Sequence, residues 1–121
     1  MSNVRFYQCK ECGLMAVAMN GKEIPGLKEL VPNTVDASGE KHLPVVKVEG
    51  DKLIARIGSV DHPMVPEHFI EWVYLRTDRG VQRKALVPGG APQVSFVLGE
   101  GEKAEAVYAY CNLHGLWMTE L

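Results

Sequence analysis

The 121-residue sequence lacks the features that mark several large classes of protein. It has no apolar run near the roughly 20 residues that a membrane-spanning helix needs. Its N-terminus, MSNVRFYQCK, contains no apolar segment of the kind found in secretory signals. No basic run stands out, and the formal net charge is −2, which disfavours nucleic acid as a partner. We therefore expect a cytoplasmic protein that binds neither membranes nor nucleic acids.

Cysteine is also scarce. There are three cysteines, an odd number, so at least one thiol stays unpaired within a monomer. A chain of this length, with 46% apolar residues, can bury a core without a disulfide framework. In a cytoplasmic protein we expect these cysteines to be free thiols or metal ligands.

Helical periodicity is absent apart from a turn or two around residues 26–30. The chain instead contains short β-rich runs that end in glycine, proline and charged turn residues. The runs are Pro44–Val48, Leu53–Ile57, Phe69–Arg76, Val81–Val87, Gln93–Leu98 and Ala104–Tyr110. This spacing predicts an all-β protein, an antiparallel sandwich of about seven strands.

Residues 1–33 differ from the rest of the chain. They contain the sequence Cys9-Lys10-Glu11-Cys12-Gly13, a small apolar run and a connector punctuated by proline and glycine. We place a boundary near Asn33. The prediction is a short N-terminal segment, residues 1–33, followed by the sandwich at 34–121.

The four histidines and one cysteine lie at predicted strand edges or loops, where a sandwich concentrates its functional groups. Taken alone, Cys111-x-x-His114 fits a plain turn, half of a disulfide or part of a metal site. Imidazole suits zinc, copper, iron and nickel. Four imidazoles and one thiolate exceed the four ligands of a closed zinc site. Five ligands suggest a square of nitrogens with an axial sulfur and one open position. These candidate ligands are His42, His62, His68, Cys111 and His114.

Three motifs occur in a familiar order: Glu40-Lys41-His42, then His62-Pro63-Met64 with His68 and Phe69-Ile70-Glu71-Trp72, then Cys111-Asn112-x-His114-Gly115. From about Asn33 to the C-terminus the chain resembles the desulfoferrodoxin and superoxide reductase family. The resemblance implies an immunoglobulin-like sandwich that holds one mononuclear non-haem iron. The four histidines would be its equatorial ligands and Cys111 its axial thiolate. The implied reaction is the one-electron reduction of superoxide to hydrogen peroxide at the open position.

Glu40 and Lys41 are the candidate catalytic residues beside His42. Lys41 is a compact positive charge that can raise the local concentration of a small anion. Glu40 is a hard oxygen donor, and the resemblance implies that it binds ferric iron after the product leaves. In the absence of His42, both would be read as a solvated charge pair.

The electron that the reaction consumes must come from outside the chain. No flavin or nicotinamide fingerprint is present. The resemblance implies a rubredoxin-like protein as the electron donor, and a homodimer or homotetramer as the assembly. The tryptophans and tyrosines are assigned to core packing rather than to an electron path.

Longer members of the family hold a second iron with four cysteines, a CxxC and a later adjacent pair. This chain keeps Cys9 and Cys12, but the later pair is missing where the sequence reads Pro25-Gly26-Leu27-Lys28-Glu29. A second iron is therefore not expected. The CxxC is weak evidence by itself. A leftover turn is favoured over a redox-active dithiol or a metal shared between subunits.

Two other functions fit part of the pattern. Cys111, His114 and Met118 with one upstream histidine resemble a blue-copper site, which would make the protein an electron carrier. That hypothesis leaves two histidines and the Glu40-Lys41 pair without a role, and Met118 is better explained by packing. A non-catalytic binding or zinc-stabilised sandwich is the other alternative.

Overall fold

The computed structural model describes residues 4–121 and is built almost entirely of antiparallel strands. The elements are β1 (Arg5–Gln8), β2 (Met15–Ala18), β3 (Lys28–Leu30), α1 (Gly39–His42), β4 (Pro44–Glu49), β5 (Lys52–Ile57), β6 (Ile70–Thr77), β7 (Gly80–Ala85), β8 (Gln93–Val97), β9 (Ala104–Cys111) and β10 (Gly115–Glu120). Three sheets form, with strand orders β2-β1-β3, β4-β5-β8 and β10-β9-β6-β7. Over residues 4–121 no helix is long and apolar enough to cross a membrane.

The main core lies between the β4-β5-β8 sheet and the four-stranded sheet. Alternate residues of each strand point into it because successive side chains of a strand face opposite sides. On β9 these are Val107, Ala109 and Cys111, all fully buried. Cys111 is therefore the last inward-facing residue of β9 and lies at one end of the sandwich.

A second core covers the outer face of the four-stranded sheet. Tyr108 and Tyr110 of β9 alternate with the inward residues and meet Phe6 and Trp72 here. The Phe6 ring lies 4.7 Å from the Tyr108 ring and stacks on Trp72 at 5.8 Å between centroids. The N-terminal sheet thus forms a third layer, held by aromatic packing.

A register shift in β6 gives both faces of this strand an apolar surface. Ile70 pairs with Cys111, but Trp72 pairs with Tyr110, so Glu71 is an extra residue. Such a bulge changes the side-chain alternation. Ile70 therefore faces the main core together with Val73, while Trp72 faces the second core.

The predicted antiparallel β-sandwich is confirmed, and the six predicted runs correspond to β4 through β9. The seventh sandwich strand is β10, which follows the Cys111-x-x-His114 stretch. The helical turn expected around residues 26–30 is wrong, because Lys28–Leu30 pairs with β1 as β3. Among the described residues the helical turn is Gly39–His42 instead.

The predicted boundary near Asn33 falls where the N-terminal layer is tied to the sandwich. The Asn33 backbone N–H donates to the Leu116 carbonyl at 3.0 Å, and its side chain exchanges two hydrogen bonds with the Met118 backbone. Asn33 adopts a positive φ of 62°, which asparagine tolerates better than most residues. The division at 33 stays a prediction, and residues 1–3 of the proposed segment lie outside the described residues.

Candidate metal centre

Four separate segments bring the predicted ligands to one end of the sandwich. The turn α1 carries His42, and the loop between β5 and β6 carries His62 and His68. Cys111 ends β9, and His114 lies in the turn that joins β9 to β10. Candidate ligands that are far apart in sequence therefore meet because their strands share an end.

The four imidazoles form a closed ring in the order His42, His62, His68, His114. Neighbouring rings have centroids 4.7 to 5.1 Å apart and planes inclined by 71° to 88°. The Nε2 atom of His42 lies 3.2 Å from His62 Nε2 and 3.2 Å from His114 Nδ1. One donor atom from each of His42, His62, His68 and Cys111 lies within 4.8 Å of the others. The four rings thus surround one small space.

Backbone carbonyls fix two of the imidazoles in one tautomer. His42 Nδ1 lies 2.6 Å from the Ser38 carbonyl oxygen, and His62 Nδ1 lies 2.7 Å from the Pro63 carbonyl oxygen. A carbonyl can only accept, so each Nδ1 carries the proton. In the neutral rings both Nε2 atoms are then bare lone pairs that face each other and cannot hydrogen-bond. A cation between them would satisfy both.

His68 supplies an independent indication that the cluster can hold a metal ion. Its Nε2 atom is buried and has no hydrogen-bond partner. A buried polar atom without a partner is costly and calls for a ligand, ion or water. The ring lies between those of His62 and His114, so this nitrogen belongs to the same cluster.

Burial favours the uncharged form of three histidines of the cluster, His42, His62 and His68. Desolvation lowers the pKa of His42 and His68, and it lowers the pKa of His62 to about 4. Burial also raises the pKa of the Cys111 thiol, although the backbone N–H groups of His114 and Leu113 oppose this. Neutral imidazoles are the form that binds metals, and a bound cation stabilises a thiolate. The donor set therefore fits a transition metal that accepts both nitrogen and sulfur ligands.

The Cys111 sulfur lies beside the group of four imidazoles, next to His114. Its Sγ lies 3.9 Å from His114 Nδ1 and accepts a hydrogen bond from the His114 backbone N–H at 3.4 Å. His114 thus presents Nδ1 to the cluster, whereas His42 and His62 present Nε2. The intervening tight turn explains the difference, because His114 is only three residues from Cys111.

Sequence reasoning missed the role of Trp117, which it assigned to core packing. The indole stacks on the His42 ring at 4.8 Å between centroids and 22° between planes. Its Nε1–H donates to the His114 carbonyl at 3.0 Å. Trp117 alternates on β10 with Leu116 and Met118, which belong to the second core. Because neighbouring residues of a strand face opposite sides, this alternation in the sequence could have indicated that Trp117 faces the cluster.

Asn112 is a second supporting residue that sequence reasoning did not single out. Its Oδ1 accepts from the Phe69 backbone N–H at 3.0 Å, and its Nδ2 donates to the Glu67 carbonyl at 3.1 Å. These bonds fasten the end of β9 to the segment that carries His68. Three residues of the Cys111-Asn112-x-His114 motif therefore have contacts at this end of the sandwich.

Glu40 and Lys41 lie beside the cluster, on the exposed side of α1. The Glu40 carbonyl accepts hydrogen bonds from the Val60 backbone N–H and the Ser59 hydroxyl, at 3.1 and 3.2 Å. The positive charge of Lys41 contributes to the lowered pKa of His42 and of His68. Lys41 is therefore close enough to influence the cluster electrostatically.

Met118 does not join the cluster. It packs against the second core, on the face of β10 opposite to Trp117. A blue-copper site needs an axial thioether beside its cysteine and histidines. The expected packing role of Met118 is confirmed, and the copper hypothesis loses its axial ligand.

Comparison with known proteins gives a consistent result. Residues 34–120 match the family described as desulfoferrodoxin. The chain is 40% identical to a desulfoferrodoxin from Syntrophotalea carbinolica, over 94% of each chain. It is 36% identical to a superoxide reductase from Pyrococcus horikoshii, over 78% of this chain and 96% of that one. The crystal structure of the superoxide reductase from Treponema pallidum superposes with a TM-score of 0.83 at 39% identity, covering 98% and 99% of the two chains.

Proposed function

The chain belongs to the desulfoferrodoxin family, and from this premise we propose that it is a superoxide reductase. The reaction takes one superoxide, one electron and two protons to one hydrogen peroxide. The observation that supports it best is the closed ring of four imidazoles with bare nitrogens and one cysteine sulfur beside it. We assign His42, His62, His68, His114 and Cys111 as ligands of one mononuclear non-haem iron.

An iron ion bound by these residues would supply the electron that superoxide takes up. The four imidazoles would hold the ion, and burial favours the neutral form of His42, His62 and His68, which adds no charge. Cys111 would provide the negative sulfur, since a thiolate ligand increases electron density on iron. The backbone N–H groups that point at Cys111 moderate this donation.

Lys41 is assigned to the approach of superoxide. Lys41 is exposed and precedes His42 in α1, and its charge contributes to the lowered pKa of His42 and His68. A positive charge at this point raises the local concentration of an anion even though the whole chain is slightly acidic. Glu40 is assigned to the oxidised protein, in which its carboxylate would offer a hard oxygen ligand to a ferric ion. Water supplies the two protons.

The remaining assignments concern the surroundings of the enzyme. Re-reduction needs one electron per turnover, and the sequence contains no flavin or nicotinamide fingerprint. We therefore assign a small rubredoxin-like protein as the electron donor. A cytoplasmic homodimer or homotetramer without nucleic-acid or membrane partners completes the proposal.

A single-turnover assay tests the reaction. Ferrous protein is mixed anaerobically with a pulse of superoxide, and peroxide, dioxygen and oxidised protein are counted. The proposal expects one peroxide and one oxidised site for each superoxide, with no dioxygen. A dismutase would instead release one dioxygen for every two superoxides. A non-catalytic sandwich would consume superoxide no faster than free iron does, and either result would overturn the proposal.

A further inference from the structure

The Cys9–Gly13 stretch is the one motif of the sequence that the proposed metal centre does not use. It forms a closed turn, because the Gly13 N–H donates to the Cys9 carbonyl at 2.9 Å and the Cys9 N–H donates to the Leu14 carbonyl at 2.8 Å. The Gln8 side chain adds a bond to the Gly13 carbonyl at 3.3 Å. Gly13 has a φ of 75°, which glycine adopts readily.

This turn places two thiols within reach of each other. Residues three apart in a tight turn have Cα atoms less than about 7 Å apart, and a disulfide spans about 4.4 to 6.8 Å between Cα atoms. The Cys12 side chain is the largest contributor to the lowered pKa of the Cys9 thiol. A bond between the two sulfurs therefore requires no rearrangement of the N-terminal sheet.

The two cysteines have different surroundings. Cys9 is half-buried, and its sulfur receives hydrogen bonds from the Cys12 side chain and from the backbone N–H groups of Cys12 and Glu11, which lower its pKa. Cys12 is exposed. A thiolate stabilised by donors is the nucleophilic form, and an accessible neighbouring thiol can resolve its oxidation product.

The turn lies at the same end of the molecule as the metal centre. Gln8, which precedes Cys9, lines a groove of about 270 Å³ that is also lined by Asn112 and His114. Gln8 also hydrogen-bonds to Tyr110, the residue before Cys111. A small product that leaves the metal centre through this groove therefore passes Gln8, the residue before Cys9.

We propose that Cys9 and Cys12 form a peroxide-reactive dithiol, which reduces hydrogen peroxide to water as it closes to an intramolecular disulfide. The inference rests on the proposed function only for the source of the peroxide. The Cys9 thiolate sulfur attacks one peroxide oxygen and breaks the O–O bond, and the leaving hydroxide takes a proton to become water. The Cys12 sulfur then attacks the sulfenic sulfur of Cys9, and the second oxygen leaves as water. The two sulfurs together supply the two electrons that one peroxide needs.

The test adds hydrogen peroxide directly to the iron-loaded full chain after its thiols have been reduced. Peptide mass mapping follows the peptide that contains both cysteines, and the peroxide consumed is measured alongside. The wild-type peptide should lose two hydrogen atoms for each peroxide consumed. Cys12→Ser should accumulate a sulfenic acid at Cys9 that dimedone traps. Cys9→Ser should react about tenfold more slowly, because its remaining thiol lacks the stabilising donors.

Three results would overturn the inference. The first is a peptide that keeps both thiols while peroxide persists. The second is equal reactivity of Cys12 with and without Cys9. The third is a metal ion bound by both cysteines of two chains, which protects them from peroxide. Because peroxide is added directly, failure here leaves the superoxide assay unaffected. Conversely, a dithiol that reacts in a protein that makes no peroxide from superoxide would contradict the proposed function alone.

Discussion

At the scale of single residues, the centre depends on which nitrogen each imidazole presents. Ser38 and Pro63 accept from Nδ1 of His42 and His62, and this directs Nε2 inward. Such carbonyl partners orient a ring and raise its basicity as a ligand. His114 reverses the pattern because its position in the tight turn after Cys111 directs Nδ1 inward. The sequence identified these residues but not their nitrogens.

Substitution of Lys41 tests the electrostatic role assigned to it. Lys41→Ala should slow the second-order reaction with superoxide by about tenfold at low salt and weaken its salt dependence. Pulse radiolysis at several ionic strengths measures both. Lys47→Ala is the matched control, because Lys47 is an exposed lysine of β4 that already pairs with Glu49 at 2.7 Å.

Glu40→Ala should distinguish an effect on the approach of superoxide from an effect on the oxidised resting state of the protein. It should leave the rate with superoxide nearly unchanged and alter the visible spectrum of the oxidised protein. An unchanged rate for Lys41→Ala at low salt would contradict electrostatic guidance. A slow reaction of Glu40→Ala would contradict the assignment of Glu40.

Trp117 is predicted to position the cluster. Trp117→Phe keeps an aromatic ring against His42 but removes the Nε1–H bond to the His114 carbonyl. Loss of such a supporting bond should weaken metal affinity by about tenfold, as measured by competition with a chelator. Trp72→Phe is the control, because Trp72 packs in the second core. Equal effects of the two substitutions would mean that Trp117 acts only through packing.

At the scale of elements, the position of α1 depends on a glycine, Gly58, that allows its backbone to come close. Gly58 has a φ of 90°, and a Cβ there would lie 2.8 Å from the Lys41 carbonyl and 2.9 Å from the Glu40 carbonyl, with Val60 also in conflict. The turn that carries His42 therefore lies directly on the backbone at Gly58. The Arg56 side chain adds a bond to the Gly58 carbonyl at 3.3 Å.

Gly58→Ala should lower the free energy of unfolding by about 2 kcal/mol or more, since strain and contact act together. It should also reduce the metal content, because α1 must move. Denaturant unfolding and metal analysis measure the two effects. Gly50→Ala is the control for the cost of a positive φ alone, because Gly50 has a φ of 61° with open space around it. A loss no larger than that of Gly50→Ala would show that α1 adjusts freely.

The limits of prediction are clearest at this scale. Alternation and turn residues were sufficient to identify β4 through β9, because each strand has one face in a core. β10 was not delimited, since the Cys111-x-x-His114 stretch was read as the end of the last strand. α1 is too short to show a helical period, and β3 forms only through pairing with β1. The five candidate ligands could be proposed from the sequence because few residue types bind metals, whereas Trp117 and Asn112 act through contacts that spacing does not reveal.

At the scale of the whole molecule, three sheets share two cores and one functional end. Phe6 packs against Trp72, Tyr74 and Tyr108 and joins the N-terminal sheet to the sandwich. The segment predicted as a short N-terminal appendage contains this three-stranded layer. Its attachment brings Gln8, the residue before the Cys9–Gly13 turn, to the groove that His114 lines.

Acid should destabilise the metal-free protein through its buried histidines. The pKa of His62 is about 4 in the folded chain, below its ordinary value of 6.5. Between these values the unfolded state binds more protons, so stability falls as pH decreases from 6.5 towards 4. For His62 the loss should reach about 3 kcal/mol. Denaturant unfolding across this range should show a steeper loss for wild type than for His62→Gln. Identical slopes would contradict a neutral buried His62.

The visible spectrum of the oxidised protein, purified from its native host and normalised to metal content, tests the central claim most directly. The account predicts one iron per chain and a thiolate-to-iron charge-transfer band that disappears in Cys111→Ser while iron is still bound. The spectrum should contain no contribution from a four-cysteine centre, since the chain has only three cysteines. Stoichiometric copper without iron, or a band that survives in Cys111→Ser, would contradict the account.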